Sequence, residues 1–330
     1  MTDPAPLRYL DAAAVAAAMP SLPERLALAE LTLRALGRSA ELPAKVGVHP
    51  RQAGSLGHAM PALLRGQAGD GSADLIGVKW IVGFPDNPAA GLPTYHAQVI
   101  LNDARNGLPL AIMDAGTITA QRTAGVSGVA IRLFAPPLDR RAAKVAFLGA
   151  GAQAGSHLPV VGHLLPGCSI RLTDLDADRA RMLAAWGASV EGVASVEAVP
   201  NVCQAVEDAD VVVSVVSFGP AHQTLDPSWL GPETLFVAVD YDMQAPAVLA
   251  SEALFVVDER DQFLATRAAG GFAGYPNPAA TLGEALRDGL TRPAGRVLVS
   301  HLGVGLADVV FASAILRRAE QLGLGVLLPR

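Results

Sequence analysis

The chain has 330 residues, of which 51% are hydrophobic and 17% are charged, with a formal net charge of −6 at pH 7. This length exceeds one ordinary hydrophobic core, so we expect two domains. The acidic balance excludes a basic nucleic-acid footprint and a polybasic membrane patch, and no apolar run approaches the roughly 18 residues of a membrane-spanning helix.

The two cysteines, Cys168 and Cys203, are too far apart for metal-ligand spacing. We interpret both as small core residues and expect no metal site. The N-terminus lacks the basic head and the apolar segment of a signal peptide. Together these features predict a reduced, cytoplasmic setting.

The first predicted element is a helix over residues 20–36, whose apolar pattern has Pro23 near its start and Gly37 at its end. Apolar runs separated by Gly, Pro and Asn then predict strands near residues 44–49, 74–82 and 95–102. The N-terminal part of the chain is therefore predicted to be an α+β segment.

A charged residue interrupts the second of these strands, because Lys79 lies among apolar residues that include Val78 and Trp80. A lysine in this setting either reaches out to solvent from a strand edge or directs its cation into a pocket. The pattern leaves both interpretations open.

Further along the chain, Arg122 falls at the start of a predicted helix that is rich in Ala, Gly and Val. An arginine at a helix N-terminus opposes the helix dipole, so it requires a nearby anion. A cofactor phosphate would supply that anion.

A glycine-rich turn follows the predicted strand 144–148. It reads Gly149-Ala-Gly151-Ala152-Gln153-Ala154, which fits G-x-G-x-x-A. The first glycine permits a tight turn, the second lets the backbone approach a pyrophosphate, and the alanine allows close packing of helix and strand. Taken alone, the pattern also fits a plain loop between a strand and a helix.

The residues after the turn favour a dinucleotide site. A predicted strand over 169–173 ends at Asp174, which lies 25 residues after Gly149, close to the spacing of a ribose-binding carboxylate. No arginine follows Asp174 directly, so NAD is favoured over NADP. Further buried strands at 209–217, 234–239 and 254–258 alternate with helices, which predicts a Rossmann-type parallel sheet. Beyond them, residues 308–319 predict an amphipathic helix that returns to the N-terminal domain.

The sequence resembles the ornithine cyclodeaminase/μ-crystallin family from about residue 43 to residue 324. The likeness is carried by Gly77-Val-Lys-Trp80 with Pro85-Asp-Asn87 and Gly91-Leu-Pro-Thr94, by Leu101-Asn-Asp103 with Gly107-Leu-Pro-Leu-Ala-Ile-Met-Asp114, by Ile118-Thr-Ala-Gln-Arg-Thr-Ala124, and by the glycine turn. It implies an α/β fold with a Rossmann-type NAD-binding domain, residues 125–302, inserted in an α+β dimerisation and substrate domain, residues 1–124 plus 303–330. It also implies a homodimer.

The resemblance also implies roles for individual residues. Lys79 matches the lysine that binds substrate near its carboxylate and reacting carbon, and Asp242 matches the catalytic acid, with Asp240 as the alternative. Lys45 stands where cyclodeaminases carry an arginine for the substrate carboxylate; archaeal-type alanine dehydrogenases carry a lysine there. His58 replaces an arginine of those dehydrogenases and is either a substrate ligand or a loop histidine.

The remaining implied contacts are with cofactor and substrate. Cofactor contacts are expected from Thr94, Arg122, Thr123, Gly149, Gly151, Ala152, Gln153, Asp174, Ser214, Val215, Val239 and His301, and a substrate contact from Leu302.

These residues predict an NAD-dependent enzyme acting at the α-C–N bond of a small L-amino acid or its imine, similar to alanine dehydrogenase or a ketimine reductase. An ornithine or lysine cyclodeaminase, which is a lyase with recycled NAD, is the alternative. A third possibility is a protein that binds a small ligand together with NAD(P)H. A cyclodeaminase pocket needs an acid for the distal ammonium of its substrate, and the sequence identifies none.

Overall fold

The computed structural model describes residues 6–66, 73–139 and 141–330. The chain forms two compact units, of which one comprises Met1–Arg122 with Val304–Arg330 and the other Thr123–Gly303. The second unit is thus inserted into the sequence of the first. No helix in the described ranges is long and apolar enough to cross a membrane.

The first unit is an α+β fold. Its strands are β1 (Leu7–Leu10), β2 (Ala40–Glu41), β3 (Val46–Val48), β4 (Leu56–Leu64), β5 (Leu75–Gly83), β6 (Tyr95–Asn102), β7 (Pro109–Asp114) and β16 (Val326–Leu328), and its helices are α1 (Ala12–Ala17), α2 (Leu22–Ala35) and α10 (Gly305–Leu322). The predicted helix is confirmed as α2, which starts with a capping box formed by Ser21 and Glu24. The three predicted strands are confirmed as β3, β5 and β6.

The sheet of this unit has the order β16-β1-β7-β6-β5-β4-β2, with β3 also paired to β4. The long strand β4 was not predicted, because Gly57 and Pro61 interrupt its pattern. The inner face of the sheet packs against α10 through strands β4, β5 and β6, whose buried residues include Met60 and Val99.

The other face of this sheet, the outer face, carries an apolar row across five strands. Strand register aligns Val78 with Ile100, Ile112, Tyr9 and Val326. Tyr9 and Val326 are exposed and the other three side chains are partly buried. An apolar sheet face of this extent, left open to water, is a feature of interaction surfaces.

The second unit is a doubly wound α/β fold. Its strands are β8 (Lys144–Leu148), β9 (Cys168–Thr173), β10 (Val193–Ala198), β11 (Val211–Ser214), β12 (Leu235–Ala238), β13 (Leu254–Val257), β14 (Ala280–Thr281) and β15 (Val297–Ser300), and its helices are α4 (Ala152–Leu164), α5 (Ala177–Gly187), α6 (Val202–Val206), α7 (Ala247–Glu252), α8 (Arg260–Ala268) and α9 (Leu282–Asp288). Helix α3 (Gly116–Phe134) begins in the first unit and ends in the second.

All strands of the second sheet run parallel, in the order β10-β9-β8-β11-β12-β15-β13-β14. The predicted Rossmann-type sheet is therefore confirmed, and β10, β14 and β15 are additional strands. The carboxyl ends of the central strands β8, β11, β12 and β15 meet at one edge. In such sheets, ligands bind at that edge.

The predicted C-terminal helix is confirmed as α10, and it packs on β4 and β5 of the first unit. Its first residue, Gly305, permits this close approach. A Cβ atom at Gly305 would lie 2.4 Å from the carbonyl oxygen of Met60, a backbone atom that cannot move cheaply. Glycine at this position therefore brings the first turn of α10 against β4.

We expect Gly305→Ala to lower the free energy of unfolding by about 1–3 kcal/mol, because the added methyl group overpacks the contact with Met60. Gly155→Ala in α4 is a matched control, since a Cβ atom there meets nothing within 4 Å. It should raise the free energy of unfolding by roughly 0.5–1 kcal/mol. Urea unfolding of both variants without cofactor measures the two changes, and equal stabilities would contradict the packing argument.

Candidate active site

A buried ionic triad lies in the first unit. Lys79 Nζ is 2.8 Å from Asp308 Oδ2, and Arg122 Nε is 3.2 Å from Asp308 Oδ1. Lys79 and Arg122 are only 1% and 5% exposed, and Asp308 is fully buried. Of the two interpretations of Lys79, the one in which its cation reaches out to solvent is therefore wrong.

Local structure explains how these three side chains meet. Alternation along β5 turns Lys79 toward the inner face of the sheet, on the same side as Gly77. Asp308 lies one turn into α10, directly after the contact that Gly305 makes with β4. Helix α10 therefore places the Asp308 carboxylate next to the Lys79 amine.

The structure corrects the argument made for Arg122. Helix α3 begins at Gly116, so Arg122 lies in the second turn and not at the helix N-terminus. The anion that faces its guanidinium is Asp308. Sequence reasoning missed Asp308, although a lone carboxylate on the apolar face of a helix was a possible signal.

Two other basic side chains act on Lys79 besides its pairing with Asp308. Burial, followed by the nearby Arg122 cation, lowers the pKa of Lys79 below the usual value of a lysine, while Asp308 opposes that shift. Lys45 acts on Lys79 in the same direction as Arg122. A bound carboxylate anion would interact favourably with the basic side chains of Lys79, Arg122 and Lys45.

His58 lies on β4 in the same unit and is partly buried. Burial, followed by the charges of Lys45, His49 and Lys79, lowers the pKa of His58 to about 4. The imidazole is therefore neutral at pH 7 and can offer a hydrogen bond but no charge.

The glycine turn of the second unit has the geometry of a dinucleotide-binding turn. Gly149 has φ of +97°, and a Cβ atom there would lie 2.8 Å from the carbonyl oxygen of Val215. Only glycine fits such a position. Next to it, Gly151 faces open space within 4 Å of where its Cβ would be, which leaves room for a close backbone approach by a ligand.

Asp174 is held beside this turn. Its carboxylate accepts hydrogen bonds from the amides of Ala150 at 2.7 Å and Asp176 at 2.9 Å. A cleft of about 440 Å³ opens next to Ala150 and is lined by Asp176, Asp178, Arg179, Met182, Leu183 and Trp186. Such a cleft fits the adenosine end of a dinucleotide.

Three buried polar atoms near the carboxyl edge lack a hydrogen-bond partner among the described residues: Gln153 Oε1, Asp240 Oδ1 and Ser300 Oγ. Buried polar atoms are rarely left unpaired, and a polar ligand at the edge would supply partners. Together with the glycine turn, these atoms show that the residues present fit a dinucleotide.

Two aspartates follow β12. Asp240 Oδ2 accepts a short hydrogen bond of 2.5 Å from Ser214 Oγ, and burial raises the pKa of Asp240 to about 7 despite that bond. Asp242 Oδ1 lies 2.9 Å from His222 Nδ1, and Asp242 Oδ2 accepts from the amide of Phe272 at 3.1 Å. Sequence reasoning did not single out His222, which lies in an irregular loop.

A buried hydrogen-bond chain adjoins the glycine turn. Ser127 Oγ lies 2.8 Å from Nε2 of both His157 and His301. His157 Nδ1 lies 2.6 Å from the carbonyl oxygen of Gln153, so this nitrogen carries the hydrogen. Burial lowers the pKa of His157 to about 4, which keeps its ring neutral. Ser127 therefore donates to His157 and accepts from His301.

The other predicted residues fall at several places. Val215 and Val239 follow β11 and β12, Leu302 is buried after β15, Thr123 is buried in α3, and Thr94 precedes β6. The residues predicted at the glycine turn therefore lie at the carboxyl edge of the second sheet. The residues predicted at the ends of the neighbouring strands lie at the same edge. Lys45, His58, Lys79 and Arg122 belong to the first unit.

The chain is similar to known proteins over most of its length. The ornithine cyclodeaminase/mu-crystallin family model matches residues 15–322. The nodulation efficiency protein NfeD of Rhizobium meliloti is 32% identical over 330 residues, covering 98% of each chain. The alanine dehydrogenase of Archaeoglobus fulgidus is 28% identical, covering 89% of this chain and 88% of that protein.

Among solved structures, the Δ1-pyrroline-2-carboxylate reductase of Thermococcus litoralis, in complex with NADH and L-proline, is similar in fold. Its TM-score is 0.82 at 20% sequence identity, covering 98% of this chain and 100% of that chain.

We expect Asp308→Asn to lower the free energy of unfolding by about 3–5 kcal/mol, because it leaves Lys79 and Arg122 buried without a counter-charge. Asp208→Asn removes an exposed carboxylate that pairs with Lys144 and should change stability little. Urea unfolding at pH 7 compares the two variants. A stability of Asp308→Asn equal to that of the wild type would show that the triad is not maintained in solution.

Proposed function

The chain belongs to the ornithine cyclodeaminase/mu-crystallin family, and from this premise we propose that it is an NAD-dependent oxidoreductase acting at the α-C–N bond of a small L-amino acid or the corresponding imine. The observation that carries the proposal is the pair of buried basic side chains, Lys79 and Arg122, on one carboxylate, Asp308, with the partly buried Lys45 acting on Lys79. Such a cluster suits an anionic substrate.

In this proposal the substrate carboxylate binds to Lys45 and Lys79. Lysine provides a point charge and not a bidentate fork, so the neutral His58 supplies a directional hydrogen bond. The Lys79 cation also polarises the α-carbon and its nitrogen. Because Lys79 is buried, its electrostatic effect on a bound substrate is stronger than it would be in water.

We assign NAD as the cofactor. It supplies hydride acceptance at the α-carbon, or hydride donation in the reverse direction. Gly149 and Gly151 allow the backbone to approach its pyrophosphate, and Asp174 accepts hydrogen bonds from its ribose hydroxyls. A carboxylate at this position repels a 2′-phosphate, which favours NAD over NADP.

The charges favour an oxidoreductase over a cyclodeaminase. A cyclodeaminase needs an acid for the distal ammonium of its diamino substrate. Asp308, the carboxylate in the cationic cluster, is already paired with both Lys79 and Arg122. Its charge is therefore engaged, and a substrate without a second ammonium fits better.

We expect the purified protein to oxidise NADH in the presence of Δ1-pyrroline-2-carboxylate, or of pyruvate with ammonia, as measured by NADH absorbance. Lys79→Met should lower kcat/KM by about 100-fold or more, because it removes a charge that acts on the reacting centre. Lys144→Met, at a half-exposed lysine, is the control and should keep full activity.

Other results of the same assay would support the alternatives. Proline formed from L-ornithine without net NADH would identify a cyclodeaminase. If no substrate turns over but a small ligand binds only when NADH is present, the protein is a ligand-binding member of the family. An equal loss of activity in Lys79→Met and Lys144→Met would remove the special role of Lys79.

We further propose that the outer face of the first sheet joins two copies of the chain. The apolar row that includes Val78, Ile100 and Ile112 runs across the middle of that face. Continuous apolar surface of this kind is typical of permanent homodimers. An archaeal alanine dehydrogenase of the same fold has been solved as a dimer with bound NAD, at 24% identity and a TM-score of 0.80.

We expect Ile100→Glu to convert a dimer into a monomer, because it places a charge in the apolar row that the proposed interface buries. Met182→Glu, on an exposed part of α5, should leave the dimer intact. Sedimentation equilibrium of the two variants and the wild type gives the masses. A monomeric wild type would contradict the proposed interface.

A further inference from the structure

His222 and Asp242 form a hydrogen-bonded pair in the second unit. Nδ1 of His222 lies 2.9 Å from Oδ1 of Asp242. The Asp242 side chain is buried at 6% exposure, whereas the His222 side chain is 47% exposed. The pair thus joins a buried carboxylate to a ring that faces outward.

The backbone around this pair is strained at three places. Gln223, Tyr241 and Phe272 are non-glycine residues with φ of +56°, +62° and +54°. Each such conformation costs on the order of 1 kcal/mol or more and persists only where the surroundings enforce it.

Each strained residue fixes part of the pair. Gln223 follows His222, and its amide donates to the carbonyl oxygen of Asp242 at 2.8 Å. Tyr241 precedes Asp242, and Phe272 donates its amide to Asp242 Oδ2 at 3.1 Å. Strain that converges on one ion-pairing contact is typical of functional sites.

An aromatic group lies against the same residues. The Tyr241 ring packs edge-on against Phe218, with ring centroids 5.1 Å apart, and stacks on Phe272 at 5.7 Å. Phe218 belongs to the same loop as His222 and is half exposed. The rings pack around Tyr241, the residue before Asp242, and so help to fix the backbone that carries the Asp242 carboxylate.

The hydrogen bond fixes the tautomer of His222. An ionised carboxylate only accepts, so His222 Nδ1 carries a hydrogen and points it at Asp242. In the neutral ring, Nε2 then has no hydrogen and can accept a proton. In the protonated ring, Nε2 carries a hydrogen and can donate it. Both oxygens of Asp242 are engaged, by His222 and by Phe272.

Two other titratable groups surround Asp242. Asp240 is held by Ser214, and the hydroxyl of Tyr275 donates to the carbonyl oxygen of Ala245 at 2.6 Å. Burial raises the pKa of both groups, and the charge of Asp242 adds to each shift. Neither is as accessible as the ring of His222.

We propose that His222 is the acid/base catalyst of this protein and that Asp242 is its positioning residue. The inference rests on the proposed oxidoreductase function and assigns proton transfer to a residue different from the aspartate expected by resemblance.

The proposed proton transfer accompanies hydride transfer between the cofactor and the substrate carbon. In the direction of imine reduction, protonated His222 gives its Nε2 proton to the substrate nitrogen while the imine carbon gains a hydride from NADH. The C=N π bond breaks, C–H and N–H bonds form, the imine is reduced and NADH is oxidised. Neutral His222 then takes a proton from water. In amine oxidation, the same nitrogen removes the proton.

The first test observes the pair without turnover. Long-range ¹H–¹⁵N spectra of the histidine rings, with His222 assigned through His222→Gln, report which ring nitrogen carries the hydrogen. We expect the Nδ1–H tautomer in neutral wild-type protein and a shift toward Nε2–H in Asp242→Asn, because the carboxylate no longer selects Nδ1. The Nε2–H tautomer in the wild type would overturn the assignment of Asp242.

The second test measures reduction of Δ1-pyrroline-2-carboxylate by NADH. We expect His222→Gln to lower kcat by roughly 100- to 1,000-fold with little change in KM, since general acid catalysis contributes about this much. The pH profile of His222→Gln should differ from that of the wild type, because the ring no longer supplies the donated proton. His222→Ala should regain activity with added imidazole. His163→Gln, at an exposed histidine, is the control and should match the wild type.

The outcomes separate this inference from the proposed function. If the wild type oxidises NADH with none of the probes, the proposed function fails and the assignment of His222 fails with it. If the wild type is active and His222→Gln keeps the wild-type rate and pH profile, only the assignment of His222 is overturned. Loss of activity in Asp242→Asn alone would then identify Asp242 as the acid itself.

Discussion

The contact between Lys79 and Asp308 is the constraint on which the first unit depends. A buried lysine requires a counter-charge. Helix α10, which packs on the inner face of the sheet, provides it, and Gly305 brings the helix close enough. The C-terminal segment thus belongs to the first unit, and the Rossmann-type unit lies between the two parts of that unit in the sequence.

The same contact sets the electrostatics of the candidate active site. Arg122 and Lys45 both act on Lys79 beside Asp308, the carboxylate of the triad. A group of basic side chains of this kind suits an anionic ligand.

The second unit concentrates its functional features at the carboxyl edge of its sheet. The glycine turn, the unpaired atoms of Gln153, Asp240 and Ser300, and the strained residue Tyr241 follow strand ends. The strained Phe272, which follows helix α8, contacts Asp242 at the same edge. Parallel strands leave their loops at this edge free of the hydrogen-bond ladder. The backbone there can adopt conformations that the interior of the sheet does not allow.

The sequence alone determined the elements whose signals are local. The turn at Gly149, the apolar strands of the parallel sheet, Asp174 at a strand end and the family motifs each depend on residues adjacent in the chain. Only the tertiary structure decided the partners of Lys79, Arg122 and Asp242. Asp308 lies 229 residues after Lys79, and His222 lies in a loop without periodic pattern. Pairings across such separations follow from how helices and strands pack, and short-range periodicity carries no information about them.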